Sequence, residues 1–141
     1  DDYYFLRTES FYNVATYMEQ TGYIKGYGGS PHTKSHGESI LAVLTKKLQG
    51  NGLYIFDEPE SALSPARQLT ALAAIDQLVQ KRSQLIIATH SPILLAYPNA
   101  IIYQLDESGI KEISYQDTPH YQITKGFLND YKRMVNILLE G

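Results

Sequence analysis

The chain has 141 residues, 43% hydrophobic and 19% charged, enough for one domain with its own core and ordinary for a soluble globular protein. Its formal net charge of −3 offers no basic footprint; nucleic acid stays open as a partner but is not favoured by charge. The absence of cysteine excludes a disulfide framework and a thiolate metal site and fits a cytoplasmic location.

No stretch approaches the roughly 18–20 apolar residues that a membrane-spanning helix needs, so no membrane segment is expected. No signal peptide is expected either. The chain opens at Asp1 rather than methionine and reads as a piece of something longer.

The first residues, "YYFLR", suit a short extended stretch. Ser10 can cap a helix whose apolar face is Phe11, Val14, Ala15 and Met18. The glycine-rich "GYIKGYGGSPHTK" reads as a mobile loop. "SHGESILAVLTKKLQG" predicts a helix with Ile40, Val43, Leu44 and Leu48 on one face, ended by Gly50. "LYIF" carries no alternation and predicts a parallel strand buried on both faces. Ser64 and Pro65 start the next helix, whose predicted buried side is Leu69, Leu72, Ile75, Leu78 and Val79. "QLIIAT" follows as a second buried strand, completing a βαβ unit with parallel strands and a right-handed crossover. "AIIYQL" and "IKEISY", joined by "DESG", form a hairpin or edge pair. Two short helices close the chain, around "TPHYQITKGFLN" and "DYKRMVNILLE". The fold class expected is therefore α/β, with parallel strands flanked by helices.

Ligands of parallel α/β sheets bind at the carboxyl ends of the strands. One such end carries Asp57 and Glu58, the other Thr89, His90 and Ser91. The βαβ geometry puts both on one edge, so two carboxylates and an imidazole should converge. An apolar strand running into Asp-Glu suits phosphoryl transfer: the aspartate holds Mg2+ and the glutamate polarises a water. Two solvated carboxylates at a strand end would give the same sequence, and His90 alone would suit a structural histidine. "SHGES" also reads two ways. Ser35 and Glu38 form a capping box, and the same helix N-terminus could meet a phosphate through Ser35 and the Gly37 backbone. Gly28 to Ser35 misses the phosphate-loop pattern by one residue, with Thr33 where a glycine is needed.

These motifs, in this order and spacing over residues 35–92, resemble the ATP-binding-cassette ATPases. More narrowly, the chain is similar to the soluble bacterial AAA_21-like ATPases and to relatives of the chromosome-maintenance heads. "SHGES" resembles the signature motif, with Glu38 where transporters usually have glutamine. "LYIFDEPE" resembles Walker B, "SALSP" the D-loop and "ATHSP" the switch-histidine segment. Ser64 departs from the D-loop aspartate of transporters, and no Walker A sequence is present.

The resemblance implies that residues 1–141 are the C-terminal part of one such domain, a partial P-loop NTPase fold. It implies ATP and Mg2+ as ligands, with Asp57 on the metal, Glu58 and His90 catalytic, and Ser35, Gly37 and Glu38 contacting nucleotide across a head-to-tail homodimer. ATP hydrolysis would drive dimer opening, and the piece alone would be inactive. Two alternatives remain: a nucleotide-gated interaction module with little turnover, or the ATPase head of a DNA-maintenance or phage-defence system.

Overall fold

The computed structural model describes residues 2–7 and 36–141. The expected helix over residues 11–18, the glycine-rich loop, the near-miss phosphate loop and Ser35 lie outside the described residues. The chain divides into two compact units, Asp1–Leu94 and Leu95–Gly141.

In the first unit, β1 (Asp2–Arg7), β2 (Gly52–Asp57) and β3 (Gln84–Ala88) form a parallel sheet in the order β1-β2-β3. The register sets Tyr4, Tyr54 and Leu85 side by side, then Leu6, Phe56 and Ile87, and finally Arg7, Asp57 and Ala88 at the carboxyl edge. Leu6, Tyr54 and Phe56 are buried. With Ile40, Val43, Leu44, Ala71, Ala74, Ile75 and Leu78 from the helical segments, and Leu48 just after one of them, they make the core. Full burial of each large apolar side chain stabilises by about 1.5–3 kcal/mol relative to exposure. Tyr54 is the polar exception: its hydroxyl donates to Asp2 Oδ2 at 2.8 Å and accepts from Gly50 N at 3.0 Å. Burial, reinforced by that carboxylate, pushes the phenol above its ordinary pKa.

Among the described residues the strands are covered on one face only, whereas "LYIF" and "QLIIAT" read as fully buried. Leu53 is 39% exposed, and its face continues into Tyr3, Phe5 and Ile86, all more exposed still. Cover among the described residues is one-sided, and β3 is an outer strand of the three.

The helix after residue 35 also differs from expectation. α1 (His36–Ala42) passes into a π-helical turn, Val43–Lys47, closed by Leu48 N donating to Val43 O at 3.1 Å. Thr45 donates its hydroxyl to Leu41 O at 2.7 Å, a local bond of the kind that competes with the α ladder. Leu48 is already extended, so the helical run stops before Gly50. The expected apolar face, Ile40, Val43, Leu44 and Leu48, is buried as predicted.

α2 (Pro65–Gln80) begins where Ser64 and Pro65 place it, with Ser64 Oγ accepting from Arg67 N at 3.2 Å. Its fully buried stripe is Ala71, Ala74, Ile75 and Leu78, whereas Leu69 is 59% exposed. Small alanines set the contact face. Leu69, two positions before Ala71, lies about 200° around the axis from it.

In the second unit, β4 (Ile102–Asp106) and β5 (Gly109–Ile113) form the expected antiparallel hairpin. Asp106 Oδ1 accepts from Ser108 N at 2.8 Å and from its hydroxyl, which holds the carboxyl below its ordinary pKa. Gly109 closes the turn at φ 116°, a left-handed value that suits glycine. α3 (Pro119–Asn129) is capped by Thr118, whose Oγ1 accepts from Tyr121 N, and α4 (Tyr131–Glu140) follows directly.

Candidate functional site at the carboxyl edge of the sheet

The last residue of β2 is Asp57, level with Arg7 on β1. Arg7 Nε lies 3.4 Å from Asp57 Oδ2, both side chains about half-exposed. Glu58 comes next, at φ 50° and ψ 55°. Its N–H donates to Ala88 O at 2.8 Å, so the β2–β3 connection runs one residue past the strand before the chain turns away. A short 3-10 turn, Pro59–Ala62, follows.

His90 lies two residues beyond β3, and its Nε2 is 3.5 Å from Glu58 Oε1. The side chains are 74% and 51% exposed, so the pair faces solvent at the sheet edge. The expected convergence of Asp57, Glu58 and His90 on one edge is therefore present in the structure.

Three residues of this edge escaped the sequence reading. Glu60 reaches back from the 3-10 turn: Thr89 donates its hydroxyl to Oε1 at 2.7 Å, and His90 N donates to Oε2 at 2.8 Å. Glu60 stands two positions after Glu58 as the third carboxylate of "DEPE", which was the available signal. Arg7 is signalled only by the β1–β2 register. Gln68 accepts from the buried Ser91 hydroxyl, and Ser91 Oγ in turn accepts from Ile93 N and Leu94 N at 3.1 Å. The segment after β3 is thus pinned from two sides.

Gly37 and Glu38 sit at the start of α1, against the segment after β2. A Cβ on Gly37 would lie 2.7 Å from Ala62 O and 2.7 Å from Arg67 Nη1, so the close approach requires glycine. Glu38 Oε1 pairs with Arg67 Nη2 at 3.2 Å. Partly exposed pairs of this kind are worth about 0–1 kcal/mol.

Among the described residues no group of three or more His, Cys, Asp or Glu side chains could hold a metal ion. No helix of the described residues is long and apolar enough to cross a membrane.

Residues 30–96, just under half of the chain, match a family described as "AAA domain, putative AbiEii toxin, Type IV TA system". The chain is 36% identical over 77 residues to an "Uncharacterized ABC transporter ATP-binding protein" of Haemophilus influenzae. That match covers 54% of this chain but 29% of the relative, so the chain spans less than a third of the relative's length. No solved structure matches. Together with the parallel sheet and its flanking helices, these similarities support a P-loop ATPase domain.

Proposed function

From a partial P-loop ATPase domain as premise, we propose that the complete protein binds and hydrolyses ATP, and that this chain is the C-terminal part of its ATPase domain. The observation that carries the reading is the Glu58–His90 pair, 3.5 Å apart, beside Asp57 at the carboxyl edge of two parallel strands. Ligands bind at that edge in such sheets.

Glu58 takes the proton of the attacking water. Its half-exposed carboxylate is within reach of solvent, and the His90 imidazole orients it. His90 also faces the position of the terminal phosphate and responds to its presence. Asp57 is the protein ligand of Mg2+. The residues fit that ion: Mg2+ needs only one or two carboxylates, with water and phosphate oxygens completing the shell, so a single strand-end aspartate is sufficient. When bound, the ion supplies charge neutralisation at the β and γ phosphate oxygens. Asp57 would hold the ion through the carboxylate that now lies 3.4 Å from Arg7 Nε.

Ser35, Gly37 and Glu38 contact nucleotide from a second subunit in a head-to-tail homodimer, and hydrolysis opens the dimer. With no phosphate-loop sequence of its own, the 141-residue piece binds Mg-ATP weakly and does not turn it over. A nucleotide-gated module with little turnover fits less well, because Glu58 supplies the base that such a module would not need.

Glu58→Gln keeps size and hydrogen bonding but is a poor base. In the complete protein it should retain Mg-ATP binding and lose phosphate release by about 100-fold or more. Asp57→Asn should differ by losing magnesium-dependent affinity as well. Equal phosphate release by Glu58→Gln and wild type at saturating Mg-ATP would overturn the reading.

A further inference from the structure

We propose that Glu60 is the positioning residue of this site: its carboxylate stitches the segment after β3 to the turn after β2 and thereby sets the Glu58–His90 distance. The inference rests on the phosphoryl-transfer reading above for its effect on rate, but not for the stitch itself.

Both members of the Glu58–His90 pair are at least half-exposed, so side-chain packing does not fix them. Their backbones do. Three consecutive residues, the last of β3 and the two after it, are tied to the chain just after β2: Ala88 O accepts from Glu58 N at 2.8 Å, Thr89 donates its hydroxyl to Glu60 Oε1 at 2.7 Å, and His90 N donates to Glu60 Oε2 at 2.8 Å. Two of the three ties are the two oxygens of one planar carboxylate. Bonds to an ionised acceptor are about twice as strong as neutral ones. A bidentate hold on adjacent residues fixes both the position and the direction of the chain at 89–90. Thr89 Oγ1 also accepts from Ser91 N at 3.0 Å, which carries the restraint one residue further. Glu60 holds the Thr89 hydroxyl and the His90 backbone amide, and so acts through the placement of His90.

The test uses the complete protein and a double-mutant cycle. Glu60→Ala should lower kcat about tenfold with KM for Mg-ATP changed less than about twofold, because positioning acts on the reacting state. In a His90→Ala background the same change should cost less than about twofold more, since the group it positions is gone. Glu60→Gln keeps an oxygen for His90 N–H and an NH2 for the Thr89 hydroxyl, so it should recover most of the rate; Thr89→Val should fall between. The same proportional loss in both backgrounds, or wild-type kcat in folded Glu60→Ala, would overturn the proposal.

Absence of turnover in the wild type would sink the phosphoryl-transfer reading by itself. The stitch is then decided by the His90 backbone amide in 15N-histidine spectra. Glu60→Ala should move it and remove its exchange protection, while an unmoved, still protected amide would overturn the proposal.

Discussion

The described residues up to Leu94, 2–7 and 36–94, and those from 95 to 141 follow the same local rules and reach opposite outcomes. Each has well-formed strands and one helix with a side-chain cap: Ser64 caps α2 as Thr118 caps α3. Yet every buried apolar side chain among the described residues lies at or before Leu94, and Thr118 is the one buried residue after it. The second unit instead exposes Tyr103, Leu105 and Ile110 on its hairpin and Ile137, Leu138 and Leu139 on α4. Secondary structure needs local hydrogen bonds and turn chemistry, whereas a core needs a second layer. Among the described residues the first unit lays helices on one face of a sheet; the second, taken alone, has elements but no interior.

This contrast can be broken by measurement. The largest effect should come from Phe56→Ala at the centre of the first unit, which leaves a cavity and should cost about 3–5 kcal/mol in denaturant unfolding. A smaller effect is expected at the seam between α1 and the segment after β2. Gly37→Ala drives a methyl into the Ala62 carbonyl and should cost about 1–3 kcal/mol. That loss should appear in stability even without nucleotide, which separates the packing role of Gly37 from any contact with phosphate. The smallest should be Leu139→Ala on α4, 81% exposed, within about 0.5 kcal/mol of wild type. A cost at Leu139 matching that at Phe56 would mean that the apolar surface of the second unit is covered in the complete protein.

Elements set by neighbouring residues were legible in the sequence. Ser64-Pro65 announces α2, and "DESG" announces the hairpin, because each signal is complete within a few positions. The meeting of Asp57, Glu58 and His90 was legible too, since parallel strands joined by a helix bring their carboxyl ends to one edge. Burial was less so. Leu53 and Phe56 look alike in the sequence, but only one faces the helices. On α2, Ile75 and Leu78 are buried as expected, but alanines at 71 and 74 rather than Leu69 complete the stripe, because their small side chains allow the closer approach. Glu60 was missed for a different reason: its place in "DEPE" marked it only as one more strand-end acid, and its partners lie 29 and 30 positions away.

Glu58 holds its place at the mouth of β2 with a left-handed backbone, φ 50°. For a residue with a side chain that conformation costs about 1–2 kcal/mol, and for glycine almost nothing. Position 58 therefore sets durability against activity. A glycine there would relax the turn and leave the loop more robust, but it would remove the carboxylate that the proposed mechanism uses as its base. On the proposed mechanism, heat tolerance gained at this one point would come with loss of turnover.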